Sequence, residues 1–136
     1  MRAYVLDANA VIRYLECGKD WERVRALFES ASKEEVKLYI SVINWGEILY
    51  TLARKTGLPK ATATMRTLQL ALETIPAGEA ETEAAVAVKH NFKLGYGDSF
   101  AAALAMRLNA TLVPADPDFE KLGKRIKLLA LARHGG

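Results

Sequence analysis

The sequence is poor in the residues that cross-link small domains or bind soft metals. It has one cysteine, Cys17, so no disulfide can close within the chain. That thiol and two histidines, His90 and His134, are too few for a Cys/His zinc site. Any bound metal must therefore rest on oxygen ligands. No apolar run approaches the ~18–20 residues that cross a bilayer. The opening stretch meets an acid at Asp7, too early for a secretory signal. With no disulfide to form, the expected location is the cytoplasm. No linker, repeat or low-complexity segment divides the chain, so one domain over residues 1–136 is expected. Gly95 and Gly97 lack the third glycine of a dinucleotide-binding fingerprint.

What is present is a balance suited to a folded domain. Hydrophobic residues make up 51% and charged residues 26%, enough to build a core and too apolar for disorder. The net charge of +3 permits a polyanionic partner without requiring one.

Short apolar runs alternate with helical periodicity. Strands are predicted at residues 2–6, 36–40, 73–75, 111–113 and 126–129. Helices are predicted at residues 9–16, stopped by Gly18, and 21–31, capped by Asp20. A long helix capped by Ser41 runs to Thr56 and is closed by Gly57, and another runs from Pro59 to Leu72. Further helices are predicted at residues 79–91 and 98–109, with a loop at 95–97 between them. A turn at 114–118 leads into a helical turn at 119–122, and the tail, 130–136, is expected to be loose. This alternation indicates an α/β fold with a mainly parallel sheet.

Three acids sit at element junctions: Asp7 after the first strand, Asp98 before an Ala-rich helix, and Asp116 after the strand at 111–113. Ligands gather at the carboxyl ends of strands in such sheets. A divalent cation gives repelling carboxylates a reason to converge. Each acid alone reads first as a helix cap. Glu47 lies inside the long helix. At 100° per residue, Trp45, Leu49, Val42, Ala53 and Gly46 form its apolar centre, and Glu47 falls at the border with Thr51 and Asn44. Periodicity alone reads it as a solvated side chain. Trp21 and Trp45, on apolar faces, are expected in the core or an interface.

Four segments in order carry a resemblance. The strand ending Asp7-Ala8-Asn9, the run Ser41-Val42-Ile43-Asn44-Trp45-Gly46-Glu47, the run Gly95-Tyr96-Gly97-Asp98-Ser99, and Val113-Pro114-Ala115-Asp116 together resemble the PIN domain family. The similarity is strongest to VapC-type toxins, the ribonuclease half of toxin–antitoxin pairs. The fourth segment departs from the pattern, with Pro114-Ala115 where Thr or Ser and then Gly are usual.

The resemblance implies a three-layer α/β/α sandwich and a Mg²⁺- or Mn²⁺-dependent endoribonuclease. Asp7, Glu47, Asp98 and Asp116 would be metal-binding and catalytic. Asn9, Ser99 and Asp118 would support them from behind. Arg13, Lys89 and Lys93, chosen for their nearness to these segments, are candidate RNA contacts. The implied partners are an RNA substrate, a VapB-type antitoxin and a second copy of the chain, joined through helices such as 42–53 and 79–89. No membrane is involved.

Two rival readings remain. A degenerate PIN module would bind RNA or a partner without catalysis. Phosphatases resembling haloacid dehalogenases also open with a strand and a nucleophilic Asp, but they want a second Asp where this chain has Asn9.

Overall fold

The computed structural model describes residues 1–114 and 117–129. The strand β1 (Arg2–Leu6) buries its last three residues completely or nearly so, with Tyr4 and Leu6 on one face and Val5 on the other. A strand apolar on both faces belongs in the middle of a parallel sheet covered on both sides. That is where β1 lies. Among the described residues five strands stand in the order β3-β2-β1-β4-β5, and every neighbouring pair is parallel. The others are β2 (Val36–Ser41), β3 (Leu72–Ile75), β4 (Thr111–Val113) and β5 (Lys127–Leu128). Tyr4 pairs with Leu38 of β2, and Val5 and Leu6 pair with Leu112 and Val113 of β4.

Two helical layers cover the sheet. Helices α1 (Ala8–Leu15), α2 (Trp21–Ser32), α3 (Val42–Thr56) and α4 (Leu58–Leu68) pack on the face carrying Tyr4, Leu6, Leu38 and Ile40. Helices α5 (Glu79–Phe92) and α6 (Tyr96–Leu108), with 3-10 turns over Pro117–Arg125, cover the face carrying Val5 and Leu112. The expected α/β/α layering and parallel sheet are both present. No helix among the described residues is long and apolar enough to cross a membrane.

Several boundaries differ from expectation, each for a local reason. The left-handed residue that ends α1 is Cys17 (φ 53°), not Gly18, whose N–H returns to the Arg13 carbonyl at 2.8 Å. Asp20 precedes α2 in a left-handed conformation (φ 63°), and its side chain makes no cap bond. Helix α4 stops at Leu68 rather than Leu72, because Leu72 pairs with Leu38 as the buried first residue of β3. Helix α6 begins at Tyr96, with Gly95 as its N-cap, so the expected loop at 95–97 is mostly helix. The buried row of α3 is Asn44, Ile48 and Leu52, displaced from the expected centre at Trp45. The helical turn expected at 119–122 extends over Pro117–Arg125, broken by Gly123 at φ 57°. Ser41 caps α3 as expected, its hydroxyl accepting from the Ile43 N–H at 3.2 Å. At the start of α5, Glu81 accepts from the Gly78 N–H at 2.7 Å, and that bond holds its carboxyl below the usual value. Asp116 and the tail at 130–136 lie outside the described residues.

The 3-10 segment is an integral part of the core because Phe119 within it is fully buried among residues of α6 and β4. Phe119→Ala is expected to lower unfolding free energy by about 3–5 kcal/mol, measured by urea denaturation. A loss below about 1 kcal/mol would detach this segment from the core.

Candidate functional site

The chain runs outward through β1, β2 and β3, then returns to the other side of β1 as β4. After β1 the chain enters α1 on one face, and after β4 it enters the 3-10 turns on the other. Neighbouring strands whose connections leave to opposite faces open a crevice at their carboxyl ends. Asp7 heads that crevice. Its backbone N–H donates to the Val113 carbonyl at 3.3 Å, which ties the end of β1 to β4.

Asp7 is both buried and a cap. It is only 1% exposed, and its Oδ1 accepts from the Ala10 N–H at 2.7 Å in the first turn of α1. A buried carboxylate is costly unless hydrogen bonds or charge support it. Here the amino end of α1 contributes a donor and a favourable dipole.

The second acid reaches the edge from α3. Glu47 is exposed as a residue, as its border position suggested, but its carboxylate is not loose. Asn44, one turn earlier, donates from Nδ2 to Glu47 Oε1 at 2.8 Å and to the Gly97 carbonyl at 3.0 Å. The carboxylate rests on Gly97 itself. A Cβ added there would lie 2.7 Å from the Glu47 carboxyl carbon, closer than real contacts permit. The absent side chain at 97 is therefore the space that Glu47 occupies.

Asp98 follows directly. With Gly95 as the N-cap, Asp98 lies in the first turn of α6, not at the cap position that the sequence suggested. The helix dipole favours a negative charge there. Its carboxylate leans back toward Gly95, 3.5 Å from where a Cβ on that glycine would be. Asp7, Glu47 and Asp98 thus approach one edge of the sheet from β1, α3 and α6. Among the described residues, no group of three or more His, Cys, Asp or Glu side chains is gathered closely enough to hold a metal ion.

The remaining candidates fall around this edge. Asn9 is exposed on the first turn of α1. Ser99 is fully buried, and its hydroxyl donates to the Gly95 carbonyl at 2.8 Å. Asp118 is exposed and pairs with Lys121 at 3.8 Å. Arg13 is half-buried on α1. Lys89 donates to the Leu94 carbonyl at 3.0 Å, and Lys93 takes the left-handed position that ends α5. Both therefore border the turn leading into Gly95. Lys121 reaches the same turn through the Lys93 carbonyl at 3.5 Å. Sequence reasoning missed Lys121, and no motif marks it. It also treated Asn44 as merely polar, although an Asn in register with Ile48 and Leu52 was a readable signal.

The donor set suits a hard divalent cation. Its atoms are carboxylate oxygens, the donors such ions prefer. Two features favour that fit: the buried Asp7 carboxylate, and the cradle at Gly97 that a Cβ would fill. A cavity of about 240 Å³ lies elsewhere, between α5, α6 and the end of β3, lined by Ile75, Pro76, Ala80 and Phe100 among others and by none of these acids.

Residues 4–125 match the family described as PIN domain. No curated protein matches the sequence. Solved structures do. The VapBC2 complex of Rickettsia felis bound to a promoter DNA fragment is 19% identical, with a TM-score of 0.73 over 93% of this chain and 97% of that one. VapBC-1 of nontypeable Haemophilus influenzae is 18% identical, with a TM-score of 0.72 over 93% and 96%. DNA-bound VapBC of Salmonella typhimurium is 16% identical, with a TM-score of 0.72 over 95% and 98%. At these identities the likeness is one of fold.

Gly97→Ala tests the cradle. A Cβ in the first turn of a helix does not lower helix stability, so the thermal midpoint is expected to hold or rise slightly. Displacing Glu47 is expected to weaken Mn²⁺ binding by about tenfold or more, read by calorimetry. Unchanged binding would separate Glu47 from the ion site.

Proposed function

Since the chain belongs to the PIN domain family, we propose that it is a metal-dependent endoribonuclease and the toxin of a VapBC-type toxin–antitoxin pair. The observation that supports this reading is the seating of Glu47 on Gly97, at the start of α6. Asp7 is buried at the β1/β4 crevice, and Glu47 is folded onto the residue that precedes Asp98. Asp7, Glu47, Asp98 and Asp116 would hold Mg²⁺ or Mn²⁺. When bound, such an ion supplies a water of lowered pKa and neutralises charge on the phosphate.

The chain's own residues do the rest. The Ala10 N–H occupies one oxygen of Asp7 and so fixes the plane of its carboxylate. Asn44 holds Glu47 against α6. Asn9, Ser99 and Asp118 support the acids from behind. Arg13, Lys89 and Lys93 contact the RNA backbone, so binding weakens as salt rises. The VapBC complexes of similar fold support a VapB-type antitoxin as partner. A homodimer acting in the cytoplasm completes the reading.

The Pro114-Ala115 pair, where the family usually has Thr or Ser and then Gly, favours a second reading, a PIN module that binds RNA or a partner without catalysis. Calorimetric titration with Mn²⁺ divides the two: no binding by the wild-type protein selects the second.

Asp7→Asn is the central test, because Asn caps a helix about as well as Asp. Stability is expected to change by less than about 1 kcal/mol. Cleavage of a structured RNA in Mg²⁺ or Mn²⁺ is expected to fall by about a hundredfold or more, as for loss of a stabilising group in a transition state. A variant that cuts as fast as its parent removes Asp7 from the chemistry.

A further inference from the structure

We propose that Asn44 is the positioning residue for Glu47, clamping α3 to the first turn of α6 so that the second acid is held in place. This role rests on the metal-dependent reading of the site.

Three observations carry it. First, Asn44 is 1% exposed and lies in the buried row with Ile48 and Leu52. An apolar side chain would continue that row, so the amide breaks the pattern. Second, its orientation is forced. The neighbours of Nδ2, Glu47 Oε1 at 2.8 Å and the Gly97 carbonyl at 3.0 Å, are both acceptors, and turning the amide over would set oxygen against oxygen. One planar nitrogen therefore fixes Glu47 relative to the backbone that carries Asp98. Third, that orientation leaves Oδ1 buried with no hydrogen-bond partner among the described residues. A residue kept only for packing or stability would not bring an unpaired acceptor into the interior. The amide is kept for its two donors.

Glu47 needs such a clamp. It is an exposed glutamate on a helix surface, with three rotatable bonds and room to swing into water. Groups that orient a ligand from behind typically change metal affinity by 10–100-fold when lost.

The test compares Asn44→Val with Asn44→Thr in the full chain. Both fill similar space, and only Thr keeps a donor. Mn²⁺ affinity is read by calorimetry with the Glu47 side chain present and in a Glu47→Gln background, and thermal midpoints are taken alongside. With Glu47 present, Asn44→Val is expected to bind Mn²⁺ about tenfold more weakly than the wild type, and Asn44→Thr to recover most of the loss. With Glu47→Gln, the Val and Thr forms are expected to bind alike, because the donor then has no carboxylate to hold. An Asn44→Val protein binding as tightly as wild type overturns the positioning role alone, and so does a loss of equal size in both backgrounds. A wild-type protein that binds no Mn²⁺ overturns the metal-dependent reading, and this role with it.

Discussion

Every strand of the sheet points the same way, so every strand hands the chain to the next element at the same edge. The rest of the structure depends on that constraint. It draws Asp7, the cap of α3 at Ser41 and the start of the 3-10 segment to one rim, although they lie far apart in sequence. Because β1 is central and its connection leaves to the face opposite that of β4, the rim has a crevice beside Asp7. The acid is buried there because the first turn of α1 supplies a donor to it. Its cap and its candidate chemistry therefore coexist: one oxygen serves the helix, and the carboxylate remains at the crevice.

Position at the rim does not by itself bring acids together across layers. Helix α3 lies on one face of the sheet and α6 on the other, and the Asn44 amide bridges them over the edge. Gly97 makes the approach possible by having no side chain, and Glu47 fills the space so left. A polar residue in an apolar row and a glycine inside a helix each break a local rule. Both breaks fall at the same point, as expected where function competes with regularity.

Much of this was legible in the sequence. The apolar run Tyr4–Leu6 marked a strand, and β1 and β4 have the expected ends. Ser41 and Gly57 bracket α3 as their chemistry predicts. The misses have physical causes. The reach of α4 was overestimated because periodicity cannot tell a helix's last turn from a buried strand's first residue, and Leu72 is the latter. The glycines at 95 and 97 read as a loop, since glycine is a weak helix former. One is an N-cap and the other is demanded by a contact from another layer. Glu47 looked solvated and is exposed, but its carboxylate accepts from Asn44 and packs against Gly97, and that second contact no periodicity within α3 can reveal. Asp116, the fourth acid, lies outside the described residues.

The position of β1 also bears on the order in which the fold can close. The strand that sits in the middle, β1, precedes helices α1 to α6, and one of its two neighbours, β4, follows them all. Parallel pairings between distant segments form late, because the intervening chain must first be closed into a loop. Asp7 thus ends a strand whose crevice forms only when β4 docks beside it. Nor does Glu47 find its seat until the start of α6 packs against α3. A chain in which β4 and α6 have not docked therefore holds Asp7 and Glu47 away from these seats, and the contacts that close the fold also close the rim.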